Sequence, residues 1–361
     1  MEQPAQEQIV RFGKLLLNWY TENPRPMPWK NFSDPYTIWI AEIILQQTRV
    51  EQGTPYFERF IHRFPDLQSL ATASIDDVLV LWEGLGYYSR ARNLHETARY
   101  VFLELGGEFP DTAAGLQKLK GIGPYTSAAI ASFAYGESIG VVDGNVKRVT
   151  SRYFNIEQDI TSSRTSKFIQ DLVNRIVQEI PSAEFNQAIM NFGAMMCVPR
   201  QPDCASCPAR STCRAYQLKK VDDLPYKSGT TIKKKRWINF GVYVNQGRVA
   251  MIQNKSSNIW KNLFIFPVIG SEKGLGSFLE SSKKSKAPDL PLLGKMNWEL
   301  SHRKLHLQFY LVDQPPTDWE QNGKIMMVES KNLENFAIPR PLRLFLNKIS
   351  YNLSIKKSDD Q

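Results

Sequence analysis

Hydrophobic residues recur at helical spacing from residue 6 to about residue 218. Val10, Leu16 and Trp19 lie roughly on one stripe of a predicted first helix, and Asp34-Pro35 is typical of the cap and first turn of a second. The connections are short and rich in glycine, proline and aspartate, so this region is predicted to be all-α, as one domain or two lobes. Further amphipathic segments predict helices near 51–63, 74–82, 89–105, 124–135, 145–154, 164–180 and 183–196.

The pattern changes after residue 218. Residues 219–236 are polar and end in the basic run Lys233–Arg236, which predicts a linker; a nuclear localisation signal is the alternative for this run. Residues 237–253 alternate around Asn245-Gln246-Gly247 and predict a hairpin. The C-terminal part is therefore predicted to be mixed α and β. Its other predicted elements are strands near 263–268, 296–313 and 324–328, a helix at 341–349 and a mobile loop at 270–287.

Charge and length limit the class of protein. The 361 residues predict two or three domains, and a net charge of +9 suits a polyanionic partner such as nucleic acid. No apolar run approaches the roughly 20 residues of a membrane helix, and the polar N-terminus does not resemble a signal peptide. We therefore expect a soluble intracellular protein without a membrane partner.

All four cysteines lie in one short segment, at Cys197, Cys204, Cys207 and Cys213. An intracellular setting favours metal ligation over two disulfides, and thiolates bind both zinc and iron–sulfur clusters. Zinc ribbons usually take their ligands from two well-separated CxxC pairs, whereas this segment contains one such pair. The residues predict a metal site, with zinc and free thiols as alternatives to a cluster.

A glycine-containing turn precedes the helix predicted at 124–135. Gly121 and Gly123 would allow a tight turn with positive φ, and Pro124 suits the first helical position. Exposed N–H groups at this helix start, with Lys120 beside them, predict a phosphate-binding site. An ordinary turn between two helices is the alternative.

Two carboxylates have surroundings that predict different pKa values. Glu42 lies among Ile38, Trp39 and Ile43, and burial would raise its pKa toward that of a general acid. Asp143 immediately precedes a predicted helix, whose dipole would lower its pKa. Such a pair suggests an acid and an anionic stabiliser. The alternatives are that Asp143 is an N-cap and that Glu42 is paired with an arginine.

Five segments of the chain together resemble one family of proteins. They are residues 25–29 (RPMPW), 40–50 (IAEIILQQTRV), 82–90 (WEGLGYYSR), 119–126 (LKGIGPYT) and 142–146 (VDGNV). These segments resemble adenine DNA glycosylases of the MutY type, in the endonuclease III superfamily. The resemblance covers residues 8 to about 226 nearly continuously and the remainder more faintly. It includes the cysteine spacing, which resembles that of a [4Fe–4S] loop.

The resemblance implies a multidomain fold, in which an all-α helix-hairpin-helix glycosylase core with a [4Fe–4S] loop precedes an α+β nudix-like domain. The catalytic region would span 1–226, with a six-helix lobe over about 29–136. The first helix and about 137–218 would form a cluster lobe. Residues 219–236 would be the basic linker, and 237–361 a lesion-recognition domain.

The resemblance also implies residue roles. Glu42 would protonate N7 of a flipped adenine and later activate water, and Asp143 would stabilise the oxocarbenium-like sugar. Tyr125 and Asn145 would position these groups. Endonuclease III-like enzymes carry a Schiff-base lysine where this chain has Tyr125, which predicts a monofunctional glycosylase.

Further residues are implied to contact DNA, and each group has one task. Lys120, Gly121 and Gly123 would bind phosphate. The adenine pocket would be lined by Arg25, Met27, Trp29 and Gln187. The residues that wedge into the duplex would be Gln47 and Tyr87. The residues that contact the oxidised guanine would be Thr48 and Leu85.

The C-terminal region resembles the nudix-like module of the same family through residues 258–267 (NIWKNLFIFP). Pyrophosphatase activity is not expected, because a nudix hydrolase holds magnesium on a glutamate-rich helix and this chain offers Glu272 and Glu280 among serines and lysines. The family reads 8-oxoguanine with a Phe-Ser-His element, which here is Leu300-Ser301-His302. The pair His302 and His306 is predicted to be solvated on a strand, with a zinc site as the alternative.

These observations predict a monomeric, bacterial cytoplasmic enzyme that acts on the nucleoid. It would excise adenine opposite 8-oxoguanine or guanine in double-stranded DNA. Three alternatives remain: a glycosylase with another mismatch preference, such as thymine opposite guanine; a non-catalytic lesion-binding protein; and an electron-transfer protein. The last fits poorly, because the cysteine segment is a small tail on a large helical body.

Overall fold

A computed structural model describes residues 3–29, 32–229, 232–255, 259–269, 289–313 and 325–356. The chain forms two compact units. The first comprises residues 1–71 and 96–229, and the second comprises residues 72–95 and 230–361. The predicted loop at 270–287, with Glu272 and Glu280, lies outside the described residues.

The N-terminal two-thirds of the described chain is helical, which confirms the all-α prediction and the seven amphipathic segments to within three residues. No helix of the described residues has the length and apolarity needed to cross a membrane. The helices are α1 (Gln6–Glu22), α2 (Pro35–Leu45), α3 (Val50–Arg63), α4 (Leu67–Thr72), α5 (Ile75–Leu81), α6 (Ser89–Glu104), α7 (Ala113–Leu116), α8 (Pro124–Tyr135), α9 (Gly144–Phe154), α10 (Ser163–Val177), α11 (Ser182–Met195) and α12 (Arg214–Gln217).

Helix α2 is the central helix of the first unit. The Asp34 side chain caps it by accepting a hydrogen bond of 2.8 Å from the Thr37 amide, and Pro35 occupies its first turn. Every residue from 36 to 44 is buried, as expected for a helix that is apolar on all sides. Helix α2 packs against α3 and α8. A carboxylate on this helix is consequently held inside the protein.

A second core in the same unit joins α1, α9, α10 and α11. Helices α9 and α11 approach closely at Gly193, where an added Cβ would lie 2.7 Å from Cβ of Asn145. This packing fixes the start of α9, which follows Asp143. Fully buried members of the core are Ile9, Phe12, Leu16, Val146, Ile169, Leu172, Val173, Ile176, Phe185, Ala188 and Ile189.

The C-terminal region is mixed α and β, as predicted. Strand β1 pairs in parallel with β6, which pairs antiparallel with β5; β3 pairs antiparallel with β2, β4 and β7. The last helix packs on β6 through Phe309 and Phe345, whose ring centroids are 3.7 Å apart. The elements are β1 (Lys234–Val242), β2 (Val244–Asn245), β3 (Arg248–Gln253), β4 (Phe264–Ile265), β5 (Leu292–Glu299), β6 (Arg303–Leu311), β7 (Ile325–Glu329), a 3-10 helix (Ser330–Asn335) and α13 (Arg340–Lys356).

One predicted boundary differs from the structure. Strand β1 begins at Lys234, three residues before the predicted strand start at residue 237, because 234–236 pair with 303–305 of β6. Arg236 is only 8% exposed, so part of the charged run lies within the sheet. Residues 72–95, which fall within the span expected for the six-helix lobe, about 29–136, belong to the second unit.

The predicted hairpin around residue 246 is confirmed. Val244 and Asn245 pair with Val249 and Arg248, and the two connecting residues, Gln246 and Gly247, have φ of 49° and 73°. Two successive left-handed residues suit the right-handed twist of the flanking strands.

Candidate active site

One cavity in the first unit, with a volume of about 420 Å³, collects residues that are widely separated in sequence. This volume lies within the range of roughly 300–1,000 Å³ that is usual for small-molecule sites. Helices α2, α8 and α11, the segment before α2 and the start of α9 all contribute to the lining. The predicted site residues in this lining are Arg25, Met27, Trp29, Glu42, Thr48, Tyr125, Asp143, Asn145 and Gln187.

Glu42 is a buried carboxylate that can hold a proton near neutral pH. Its side chain belongs to the core, and the residue is 8% exposed. Burial raises the pKa of Glu42 to about 7, the negative charge of Asp143 adds to this rise, and a hydrogen bond from Tyr125 opposes it. The predicted rise is confirmed. In the described structure the carboxylate accepts a hydrogen bond from the Tyr125 hydroxyl, at 2.8 Å, in place of an arginine.

Asp143 is both the N-cap of α9 and part of the cavity wall. Oδ1 accepts a hydrogen bond of 2.7 Å from the Val146 amide, and Oδ2 accepts one of 2.8 Å from Nδ2 of Asn145. The predicted lowering of its pKa is wrong. Burial raises the pKa of Asp143, and this effect outweighs the hydrogen bonds from Val146 and Asn145 and the nearby Arg148 charge.

Arg148 extends this arrangement from the cavity to the cysteine segment. Nη2 donates to Oδ1 of Asn145 at 3.0 Å and to the Gly193 carbonyl at 2.6 Å, and Nε donates to the Cys197 carbonyl at 2.8 Å. Asp143, Asn145, Arg148 and Cys197 are therefore joined by successive hydrogen bonds. The sequence analysis missed Arg148, although it lies three residues after Asn145 on the same face of α9.

The four cysteines line a second, small cavity together with Phe12, Tyr153 and Phe192. Burial raises the pKa of Cys207 to about 11, with neighbouring thiols contributing. In the described part of the chain, no three cysteine, histidine, aspartate or glutamate side chains are arranged to hold a single metal ion. Four soft sulfur donors around one apolar cavity fit a thiolate-ligated iron–sulfur group in chemical type.

Arg152 holds the cysteine segment against α9. It is 2% exposed, and Nη1 lies 3.5 Å from Sγ of Cys197. Because guanidinium groups are always charged and carry five donors, one such side chain can satisfy several carbonyls at once. The carbonyl groups that accept its hydrogen bonds belong to Val198, Pro199, Val221 and Leu224.

The predicted phosphate-binding turn precedes α8. Gly121 has φ of +79°, as expected, but the same prediction for Gly123 is wrong, because Gly123 is extended with φ of −88°. Its position as N-cap of α8 requires extended backbone. A Cβ at Gly123 would meet nothing within 4 Å. Nζ of Lys120 lies 2.5 and 2.6 Å from the two carboxylate oxygens of Glu96.

Two of the remaining predicted contacts lie on exposed turns with left-handed backbone. Gln47, between α2 and α3, is exposed with φ of 58°. Tyr87, between α5 and α6 in the second unit, is 46% exposed with φ of 48°. Leu85 in the same turn is 7% exposed, so its side chain packs inside the second unit.

The predicted lesion-reading element forms the exposed turn between β5 and β6. Oγ of Ser301 lies 3.1 Å from Nδ1 of His302, and both residues are exposed. His306 does not join His302 in a metal site within the described residues. Instead, Nδ1 of His306 lies 2.7 Å from Oδ1 of Asn297, and its ring stacks on Trp237 at 4.8 Å.

The cavity also contains residues that the sequence analysis missed. Met190 and Asn191 lie three and four positions after Gln187 on α11, so helical spacing from Gln187 could have identified them. The Tyr125 hydroxyl lies 3.7 Å from Sδ of Met190, and the Tyr20 hydroxyl donates to Oε1 of Gln187 at 2.7 Å. The positions of Tyr125 and Gln187 are therefore fixed by neighbouring side chains.

Comparison with known families agrees with this architecture. Residues 40–175 match the model of the HhH-GPD superfamily base excision DNA repair protein, and residues 239–348 match the model of the NUDIX domain. A thermostable thymine-DNA glycosylase structure is 27% identical, with a TM-score of 0.55, and the match covers 59% of this chain and 98% of that one. An endonuclease III–DNA covalent intermediate is 20% identical, with a TM-score of 0.51 and coverage of 60% and 99%. The chain thus combines a helix-hairpin-helix glycosylase core with a NUDIX-like domain.

Curated relatives extend the match over nearly the whole chain. The adenine DNA glycosylase of Buchnera aphidicola subsp. Schizaphis graminum is 36% identical over 343 residues, which cover 94% of this chain and 98% of the relative. The adenine DNA glycosylase of Homo sapiens is 42% identical over 226 residues, or 60% of this chain and 41% of the relative. The chain belongs to the adenine DNA glycosylase family.

Proposed function

We propose that the protein is a monofunctional DNA glycosylase that excises adenine paired with 8-oxoguanine or guanine in double-stranded DNA during base excision repair. One observation carries the proposal: Glu42, with a pKa raised to about 7, shares a base-sized cavity with Asp143. A carboxylic acid that retains its proton near neutral pH can assist the departure of a base. The family membership of the chain supports adenine as that base.

The reaction divides its work between the two carboxyl groups. A flipped adenine enters the cavity, at a cost of a few kcal/mol for extrusion, and protonated Glu42 donates its proton to N7. The C1′–N9 bond then breaks, and the electron pair leaves with the base. The carboxylate of Asp143 stabilises the positive charge on the sugar. Water adds to C1′ and passes a proton to Glu42, which restores the acid.

Two further residues position the reacting groups. Tyr125 holds Glu42 through its hydroxyl, and Asn145 holds Oδ2 of Asp143 through its amide. A phenol cannot form the imine that a lysine would form with the sugar, so the reaction ends at the abasic site without strand cleavage. The walls of the adenine pocket are Arg25, Met27, Trp29 and Gln187.

The remaining predicted residues contact the duplex. Amide groups at the start of α8, with Gly121 and Gly123, face a phosphate that Lys120 helps to neutralise. Gln47 and Tyr87 wedge into the duplex. Thr48 contacts the oxidised guanine, and Leu85 contacts it through its backbone, because the Leu85 side chain is buried. Ser301 and His302 distinguish that base. The net charge of +9 supports a polyanionic partner.

The cysteine segment is proposed to hold a [4Fe–4S] cluster through Cys197, Cys204, Cys207 and Cys213. Bound there, the cluster supplies thiolate–iron cross-links that tie the segment together. Arg152 then anchors the segment to the helical body. Metal analysis tests this assignment. We expect about four iron atoms and about four acid-labile sulfide ions per chain, together with visible absorbance. One zinc ion per chain instead would overturn the assignment.

We also propose that the protein is a monomer in the bacterial cytoplasm that acts on the nucleoid.

A substrate panel tests the function. Single-turnover assays would use duplexes that differ only at the mispair: adenine opposite 8-oxoguanine, guanine or thymine, and thymine opposite guanine. Released base is measured directly, and alkali then converts abasic sites to strand breaks. The proposal expects free adenine from the first two duplexes and strand breaks after alkali treatment alone. Release of thymine, or no release of adenine opposite 8-oxoguanine, would overturn it.

A further inference from the structure

Within the second unit, Glu83 and Arg343 form a bidentate ion pair between the turn that follows α5 and helix α13. Nε of Arg343 donates to Oε1 of Glu83 at 2.7 Å, and Nη2 donates to Oε2 at 2.8 Å. The side chains are 20% and 21% exposed. A half-buried, fork-shaped pair of this kind is stronger and more directional than a surface pair with a single contact.

The ion pair belongs to a larger set of hydrogen bonds. The Ile338 amide also donates to Oε2 of Glu83, at 3.1 Å, while Arg343 donates to the Leu333 and Phe336 carbonyls at 3.0 and 2.9 Å. Arg343 thus joins α13, the segment before it and the α5–α6 turn. Removal of the guanidinium group would break the hydrogen bonds that connect α13 to the segment before it and to the α5–α6 turn.

The turn itself contains little regular structure. Gly84, Gly86 and Tyr87 all have positive φ, of 95°, 75° and 48°. The Gly86 carbonyl accepts hydrogen bonds from Nε1 of Trp82 at 3.2 Å and from Nη2 of Arg90 at 3.3 Å. A non-glycine residue with positive φ is held there by its surroundings. The contacts of Glu83 with Arg343 and with the Ile338 amide therefore help to fix the position of Tyr87.

We propose that Arg343 is a positioning residue for DNA recognition: through Glu83 it fixes the turn that presents Tyr87 to the duplex. This inference rests on the proposed function, in which Tyr87 enters the DNA. The NUDIX-like segment would then have a second role besides recognition of the base opposite adenine. It would hold the α5–α6 turn, whose sequence lies inside the glycosylase-family match at residues 40–175.

A double-mutant cycle tests the proposal. Arg343→Gln should weaken binding to a duplex with adenine opposite 8-oxoguanine by about tenfold, while excision at saturating protein changes little. Tyr87→Ala should also weaken binding. If Arg343 acts through the turn, the double variant should bind no worse than Tyr87→Ala, because the contact that Arg343 positions is already missing.

Controls separate positioning from general destabilisation. Arg340→Gln removes an equal charge from the exposed first turn of α13 and should leave affinity within about twofold. Arg343→Lys keeps the charge and loses the fork, so it should fall between wild type and Arg343→Gln; this variant replaces Arg343→Gln in the cycle if the latter unfolds. Fully additive losses, or no loss with Arg343→Gln, would overturn the inference. A wild-type protein without adenine release would instead overturn the proposed function.

Discussion

The Tyr125 hydroxyl donates a hydrogen bond of 2.8 Å to Oε2 of Glu42, and the two residues lie 83 positions apart in sequence. The bond favours the carboxylate, whereas burial favours the protonated acid. The outcome is a pKa raised to about 7. Both the protonated and the ionised form of Glu42 are therefore populated at neutral pH. This suits a group that first donates a proton and later accepts one.

Removal of the Tyr125–Glu42 hydrogen bond should raise the pH at which the excision rate falls. A general acid acts while protonated, so the wild-type rate should fall as the pH rises through about 7. At acid pH the rate should also fall, because protonation removes the Asp143 carboxylate that stabilises the sugar. Tyr125→Phe removes an influence that lowers the pKa of Glu42, so the first of these falls should move to higher pH. Single-turnover rates on one duplex across the neutral range would show the displacement. An inflection that stays in place or moves down would contradict this assignment.

Replacing Glu42 with glutamine should greatly slow excision and preserve DNA binding. Glu42→Gln cannot deliver a proton, and excision should fall by about 10²- to 10⁴-fold, the usual contribution of general acid catalysis. Affinity for the same duplex should change little, because the amide has nearly the same shape. Gel-shift titration beside the single-turnover assay measures both quantities. Full excision activity in Glu42→Gln would contradict the assignment of Glu42 as the general acid. Retained binding without excision by the wild-type protein would instead favour a non-catalytic lesion-binding protein.

The same substitution should stabilise the fold at high pH. In the unfolded chain the pKa of Glu42 has its ordinary value of 4.5, while in the folded protein it is about 7. Burial of the carboxylate therefore costs stability, and this cost grows from pH 4.5 to about 7. Above that range, Glu42→Gln should gain up to about 3 kcal/mol, and near pH 4 almost nothing. Denaturant unfolding at both pH values measures the difference. Glu58→Gln, exposed on α3, should show no such gain.

Releasing Lys120 should strengthen DNA binding. Both carboxylate oxygens of Glu96 bind the ammonium group of Lys120. A phosphate that binds Lys120 would have to displace this carboxylate. Glu96→Gln should raise affinity a few-fold and steepen the salt dependence by about one phosphate contact. Binding titrations at several salt concentrations provide both values. Glu104→Gln, exposed at the other end of α6, is the matched control, and an equal effect there would exclude a specific role for Glu96.

A larger side chain at the contact between α9 and α11 should displace Asn145 in the active site. In Gly193→Ala the new Cβ would lie 2.7 Å from Cβ of Asn145, which donates to Asp143. We expect a loss of about 1–3 kcal/mol in unfolding free energy, as is usual for overpacking, with a lower excision rate. Gly144→Ala, whose Cβ would meet nothing within 4 Å, should keep its stability. Unchanged excision in Gly193→Ala would show that Asn145 tolerates displacement.

Local features could be predicted from the sequence because they depend on neighbours along the chain. The cap at Asp34, the helical spacing of α2 and the hairpin at Gln246-Gly247 each follow from a few adjacent residues. The gathering of the four cysteines is likewise visible in their spacing. Family motifs identified Glu42 and Asp143, although no local rule connects residues so far apart.

Tertiary packing decided the properties that depend on burial and distant partners. The pKa of Asp143 rises because burial outweighs the helix start that local reasoning considered. Lys234 belongs to a strand because β6 provides its partner, and Glu83 meets Arg343 across 260 positions. Desolvation and long-range hydrogen bonds depend on what surrounds a group in space. The sequence by itself therefore determined the elements and the chemical groups of the site, and the folded structure determined their electrostatics and their anchoring.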